Sequence, residues 1–242
     1  MSKVALVTGG TGGIGNAICR KLAKDGYKVV TTYFEPEEKA KEWQAKQDYE
    51  VSIYPCDVSK YDECVSLKEA VEKDYGQVDV LVNCAGITRD AVFKKMTLDQ
   101  WSAVMKTNLD SLFNVTHQFL SSMADRGYGR VINISSVNGQ KGQFGQANYS
   151  AAKAGVHGFT MAIAQEVARK GVTVNTLSPG YIGTDMVMAI AEEVRNKIIA
   201  QIPVGRLGKP EEMAAIVAFL ASDDAAFITG ANISANGGQF IH

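Results

Sequence analysis

The chain starts with an apolar run, Val4-Ala5-Leu6-Val7, that passes directly into a glycine cluster, Gly9, Gly10, Gly12, Gly13 and Gly15. A run that is apolar at every position has no solvent face, so it predicts a strand buried on both sides. The stretch from Ala17 onward carries a helical pattern, and Gly26 supplies its stop. Strand, glycine turn and helix in that order point to an α/β chain. The remaining pattern keeps the alternation. Strands are predicted at 3–8, 28–33, 51–55, 79–82, 130–134, 172–177 and 231–234. Helices are predicted near 14–25, 36–47, 60–75, 98–122, 147–169, 185–200 and 210–221. The fold expected is a doubly wound, Rossmann-type parallel sheet of about seven strands with helices on both faces. A length of 242 residues, with no linker, repeat or low-complexity tract, suits a single domain over 1–242.

In such a sheet, ligands bind outside the carboxyl ends of the strands. Five separate features follow predicted strands: the glycine turn, Asp57, Asn83 to Gly86, Ser136 and Pro179-Gly180. One rule therefore gathers them on one edge. Glycines at 9, 13 and 15 let backbone approach a pyrophosphate, and the following helix start offers free N–H groups. Tyr149 and Lys153 form a Tyr-x-x-x-Lys pair on a predicted helix, thirteen residues and more beyond Ser136. A tyrosine has an unperturbed pKa of about 10. An ammonium one turn away is expected to pull it toward the working range. A serine hydroxyl near that tyrosine can hold a substrate carbonyl oxygen.

Composition narrows the partners. A net charge of −1 gives no field that would favour nucleic acid or an anionic membrane. Cys19, Cys56, Cys64 and Cys84 show neither a C-x-x-C pair nor metal-ligand spacing, so no metal is expected. No apolar run approaches 18 residues, and the start of the chain lacks the pattern of a secretory signal. The expectation is a soluble, cytoplasmic protein.

Taken together, the motifs resemble the short-chain dehydrogenase/reductase family over essentially the whole chain. Thr8-Gly9-x-x-x-Gly13-x-Gly15 resembles its cofactor loop, and Asp57-Val58 its adenine-contacting pair. Asn83-Cys84-Ala85-Gly86 resembles its Asn-Asn-Ala-Gly motif with Cys second. Asn108, Ser136, Tyr149 and Lys153 resemble its catalytic tetrad. The resemblance implies cofactor contacts at Gly9, Gly13, Ile14, Gly15, Tyr33, Asp57, Val58, Asn83, Ala85, Gly86, Pro179, Gly180, Ile182 and Thr184. It implies that Lys153 meets the nicotinamide ribose and that Asn108 organises a water relay. Tyr149 would protonate the carbonyl oxygen, with Ser136 stabilising charge there.

Within the family, Asn83 to Asp90, Ser135 to Tyr149 and Ile233 to Gly238 are most similar to bacterial reductases of acetoacetyl-CoA. That likeness implies an (R)-3-hydroxyacyl product, use in polyhydroxybutyrate synthesis and a homotetramer. It implies that helices 98–122 and 147–169 supply one subunit interface. Asp90, Gln143, Phe144, Gln146 and Tyr181 are the candidate substrate contacts. The rival substrate is the same acyl group carried on acyl carrier protein. A non-catalytic dinucleotide sensor would be expected to lack Tyr149 or Lys153. For the cofactor, Tyr33 stands where NAD-preferring members carry Asp, which favours NADPH over NADH. Gly12, where many NADPH-preferring members carry Arg, and Glu35, two residues beyond Tyr33, argue the other way.

Overall fold

The computed structural model describes residues 2–241. The seven expected strands form: β1 Val4–Val7, β2 Lys28–Tyr33, β3 Val51–Pro55, β4 Val80–Asn83, β5 Gly129–Ile134, β6 Val172–Pro179 and β7 Asn232–Ala235. They make a parallel sheet in the order β3-β2-β1-β4-β5-β6-β7. The helices between them are α1 Gly13–Lys24, α2 Glu37–Ala45, α3 Tyr61–Tyr75, α4 Leu98–Met105, α5 Ser111–Arg126, α6 Val137–Lys141, α7 Ala147–Val167, α8 Asp185–Met188, α9 Glu192–Ile199 and α10 Pro210–Ala221. This is the doubly wound α/β fold the sequence implies.

Side chains of β1 alternate between two cores. Ala5 and Val7 face Ile18, Leu22, Val217 and Leu220, from α1 and α10. Val4 and Leu6 face Val71, Val115, Phe119 and Ala164, from α3, α5 and α7. Each fully buried aliphatic or aromatic side chain contributes roughly 1.5–3 kcal/mol, which is why β1 is apolar at every position rather than on one side. The chain leaves β1 toward β2 on one side and leaves β4 toward β5 on the other. That reversal opens a crevice at the carboxyl ends of β1 and β4.

The helices depart from expectation in three places. The helix expected at 98–122 is broken by a π-helical turn, Lys106–Asp110. The wider turn brings Asn108 inward, where its amide exchanges two 2.8 Å bonds with the backbone of Ile87. Ser111 donates back to the Thr107 carbonyl at 2.6 Å. Leu109 fills the space over Gly155, where an added Cβ would lie 2.9 Å from its side chain. The helix expected at 185–200 divides into α8 and α9 at Ala191, whose φ −49° and ψ 136° are not helical, and Arg195 donates to the carbonyls of Met188 and Ile190 at 2.9 and 3.2 Å across the break. The stretch after Ser136 holds the short helix α6, started by the Ser136 side chain and ended at Gly142 with φ +72°.

Candidate active site

The glycine turn is shaped by threonines. Gly9 and Gly10 donate to Thr32 Oγ1 and Thr31 Oγ1 at 3.1 and 2.9 Å. Thr8 Oγ1 accepts from the N–H groups of Cys84 and Ala85 at 3.0 and 3.1 Å, which ties the β1 turn to the β4 turn. Gly9 adopts φ +68°, and an added Cβ would lie 2.9 Å from the Ala85 backbone. A Cβ on Gly13 would lie 2.7 Å from the Thr184 methyl, so Thr184 sits directly over the turn. Among the described residues, no side chain caps α1, whose N-cap is Gly12, and the buried Asn16 Oδ1 has no partner. An uncapped helix start leaves its first N–H groups for an anion. A glycine-lined turn with open donors fits the diphosphate of a dinucleotide.

Other candidate cofactor residues lie along this edge. Tyr33 is buried at the end of β2, and Glu35 accepts from the N–H of Phe34 at 3.2 Å. Asp57 Oδ1 accepts from the N–H and hydroxyl of Ser59 at 2.9 and 2.6 Å, and Val58 is buried beside it. Asn83 turns away from the edge: its Nδ2 donates to Thr116 Oγ1 and Asn133 Oδ1, stitching β4 to β5 and α5. Pro179 ends β6. Gly180 donates to the Ala235 carbonyl at 3.0 Å, and Ile182 is buried behind the turn. Ile14 packs partly buried against the core beside α1.

Ser136 ends the turn after β5, and Tyr149 and Lys153 project from α7 beside it. The Lys153 ammonium donates to the Ile134 carbonyl at 2.8 Å and lies 5.8 Å from the centre of the Tyr149 ring. Ser135 Oγ donates to the Lys153 carbonyl at 2.7 Å, which pins α7 to the end of β5. Asn108 Oδ1 and Lys153 Nζ approach the same face of Gly86: an added Cβ would lie 3.0 and 3.6 Å from them. Gly139 lets α6 cross α7, since a Cβ there would lie 2.6 Å from the Lys153 carbonyl carbon.

The electrostatics correct one expectation. Burial pushes the Tyr149 phenol up; a hydrogen bond from Ser136 works against that rise, and Cys84 and Asp90 add to it. Lys153 does not offset that rise, because its ammonium is turned to the Ile134 carbonyl. Burial pushes Lys153 itself down to about 8, partly countered by Cys84. The i,i+4 spacing is therefore right for proximity, and burial decides the sign.

The candidate substrate residues fall into two sets. Gln146 donates to Asp90 Oδ2 at 2.8 Å and accepts from Asn138 Nδ2 at 2.9 Å, and burial pushes the Tyr181 phenol up, with Asn138 working against the rise. Gln143 instead accepts from Lys141, and Phe144 projects outward, 86% exposed. Sequence reasoning left two buried amides unassigned. Asn138 joins the substrate set just described. Asn148 Oδ1 accepts from the Tyr149 N–H at 2.8 Å, while its Nδ2 donates to the carbonyls of Arg89 and Gln100. Their only sequence signal is an amide adjoining Ser136 or Tyr149.

A glycine turn at β1 and a Ser, Tyr and Lys cluster beyond β5 define a dinucleotide-dependent oxidoreductase. The chain belongs to the short-chain dehydrogenase/reductase family; the family model described as enoyl-(acyl carrier protein) reductase matches residues 9–239. It is 61% identical over 242 residues to the acetoacetyl-CoA reductase of Shinella zoogloeoides, covering all of both chains. It is equally similar, 61% over 242 residues and the whole of both chains, to the acetoacetyl-CoA reductase of Rhizobium meliloti. A 3-oxoacyl-(acyl-carrier-protein) reductase of Vibrio cholerae is 47% identical over 242 residues, covering 99% of this chain and 98% of its own.

Proposed function

We propose that this protein is a cytoplasmic acetoacetyl-CoA reductase that forms (R)-3-hydroxybutyryl-CoA with NADPH, as a homotetramer of single-domain chains, and so supplies polyhydroxybutyrate synthesis. The observation that carries the reading is the meeting of Ser136, Tyr149 and Lys153 beside the Asp90, Gln146 and Tyr181 set, in a chain so similar to relatives bearing that name. When bound, the reduced nicotinamide supplies hydride. The glycine turn, α1, Thr184 and Gly86 would hold the cofactor. Ser136 and Tyr149 donate to the ketone oxygen, and the Tyr149 proton passes to it. A raised phenol pKa suits this direction, because it keeps Tyr149 protonated at neutral pH. Lys153, with Asn108 beside it at Gly86, supplies positive charge near the phenolate left behind.

Tyr33 in place of a carboxylate supports NADPH, and the bond from Phe34 occupies Glu35. The exposed Phe113 and Met161, on α5 and α7, support a subunit interface along those helices. No helix among the described residues is long and apolar enough to cross a membrane. The deciding experiment compares kcat/KM for acetoacetyl-CoA and acetoacetyl carrier protein, each with NADPH and NADH, beside the mass of the protein in solution. Acetoacetyl-CoA with NADPH is expected to lead. A hundredfold preference for the carrier protein would replace the substrate, and equal or better use of NADH would replace the cofactor.

A further inference from the structure

We propose that Asn148 is a positioning residue. Its side chain clamps both ends of the loop that carries Asp90 onto the start of α7, and so sets where Asp90 and Gln146 stand relative to Tyr149. The inference rests on the reductase activity proposed above, which supplies the substrate. Asn148 is the second residue of α7 and is fully buried.

Chemistry fixes how its amide lies. Two carbonyl oxygens face it, those of Arg89 at 3.0 Å and Gln100 at 3.1 Å. Carbonyls only accept, so Asn148 must turn Nδ2 to them and give one hydrogen to each. Oδ1 is left for the Tyr149 N–H, at 2.8 Å. Turned over, the amide would set its oxygen against two carbonyls and its hydrogens against an N–H. Both Nδ2 hydrogens are used, and the side chain has no exposed surface to offer a ligand. Asn148 therefore acts through what it holds rather than by touching substrate.

What it holds is a surface loop, residues 89–97, exposed at Phe93, Lys94 and Lys95. Arg89 stands immediately before Asp90 at one end. Gln100 lies in the first turn of α4 at the other, where its side chain closes a capping box with Thr97 at 2.9 and 3.2 Å. One buried amide thus ties both ends of the loop to the Tyr149 backbone. Further bonds seat the loop on the same stretch. The Ala91 N–H donates to the Gly145 carbonyl at 2.9 Å, and Gln146 donates to Asp90 at 2.8 Å. All of these contacts end on residues 145–148, directly before the tyrosine.

The consequence is geometric. With Asn148 in place, Asp90, Gln146 and Tyr149 move as one unit. Without it, the loop would carry Asp90 and Gln146 out of register with the phenol. A misplacement of about 1 Å is enough to cost about 10²-fold.

The test separates positioning from general support. Asn148→Asp keeps an acceptor for the Tyr149 N–H but sets a carboxylate oxygen against the two carbonyls, which frees the loop. KM for acetoacetyl-CoA should rise by about 10- to 100-fold, with kcat within about threefold of wild type. Asn148→Ala adds no charge and releases the loop and the Tyr149 N–H together, so KM should rise by a similar factor and kcat should fall as well. Gln146→Ala supplies the deciding background. Once the Asp90 bond is gone, either Asn148 variant should raise KM by no more than about threefold further, because both residues act through one loop. Amide exchange of Ala91, followed by NMR without substrate, should quicken by about tenfold or more in both Asn148 variants. KM effects that multiply in the double variants would overturn the inference. So would a kcat loss in Asn148→Asp as large as its KM change, or an Ala91 amide as protected as in wild type. Wild-type protein that reduces acetoacetyl-CoA with neither cofactor would instead overturn the proposed activity, and Ala91 exchange would still decide the clamp.

Discussion

Two clusters of buried polar groups lie at opposite ends of the same strands. At the amino ends of β1, β4 and β5, the Arg130 guanidinium donates to the carbonyls of Ser222, Gly129 and Gly171, reaches Asp223 and stacks on Tyr128. Asp79 beside it accepts from the Val4 N–H at 2.8 Å and from Gln77 at 2.9 Å. Among the described residues, none of the buried side-chain atoms without a partner belongs to this cluster. At the carboxyl ends, Asn16 Oδ1, Asn138 Oδ1 and Ser150 Oγ are left unpaired, and Lys153 keeps its charge against the cost of burial. Both clusters are buried in the same sheet, but only one is finished. A completed polar cluster locks strands together, while an incomplete one costs stability unless a ligand completes it.

Substitutions should separate the two ends, and the sharpest is Tyr149→Phe. It removes a proton donor and should lower kcat by about 10²–10⁴-fold while the melting temperature and cofactor Kd hold nearly steady. More than a tenth of wild-type kcat would place the acid elsewhere. Gln146→Ala breaks the link between Asp90 and Asn138 and should raise KM for acetoacetyl-CoA by about 10- to 200-fold. Phe144→Ala, at an exposed position, should do much less, and steady-state kinetics on the pair would reverse this ranking if Phe144 closes over the substrate.

Next comes pH. The Lys153 ammonium is present below about 8 and lost above it, whereas the raised Tyr149 stays protonated through that range. In the reducing direction, kcat/KM should therefore fall above about pH 8 by roughly tenfold per unit. A profile flat to pH 10 would remove Lys153 from the reaction. The smallest effect tests the finished cluster. Arg130→Met should cost about 1–3 kcal/mol of stability, a fall of roughly 2–4 °C in Tm for each kcal/mol. Its kcat should be unchanged. Lost activity at full stability would mean the two ends are coupled.

The strands were legible as short runs rich in apolar and β-branched residues, and the site followed from where those strands end. What stayed hidden depends on bonds between distant segments. The π-helical turn rests on Asn108 meeting Ile87, and Arg195 reaches Met188 across the gap between α8 and α9; no local pattern in 98–122 or 185–200 encodes either contact. The Tyr149 pKa was missed in the same way. Spacing located its lysine, but the direction of the ammonium was set by a carbonyl on β5. Asn138 stood in plain view two residues beyond Ser136, yet its contact requires knowing that Gln146 bridges it to Asp90.

The π-helical turn also limits how this chain can vary in length. It holds one residue more than a regular helix of the same span, so deleting Lys106 or Thr107 would let α4 and α5 join as a single α-helix. Each residue in an α-helix turns it by about 100°. The deletion would swing Asn108 off Ile87, and Leu109 off Gly155, without introducing a proline or a charge. Surface loops of this fold can gain or lose residues freely, but here a single codon is a gear tooth. A shortened chain could still fold into seven strands while its active site fell out of mesh.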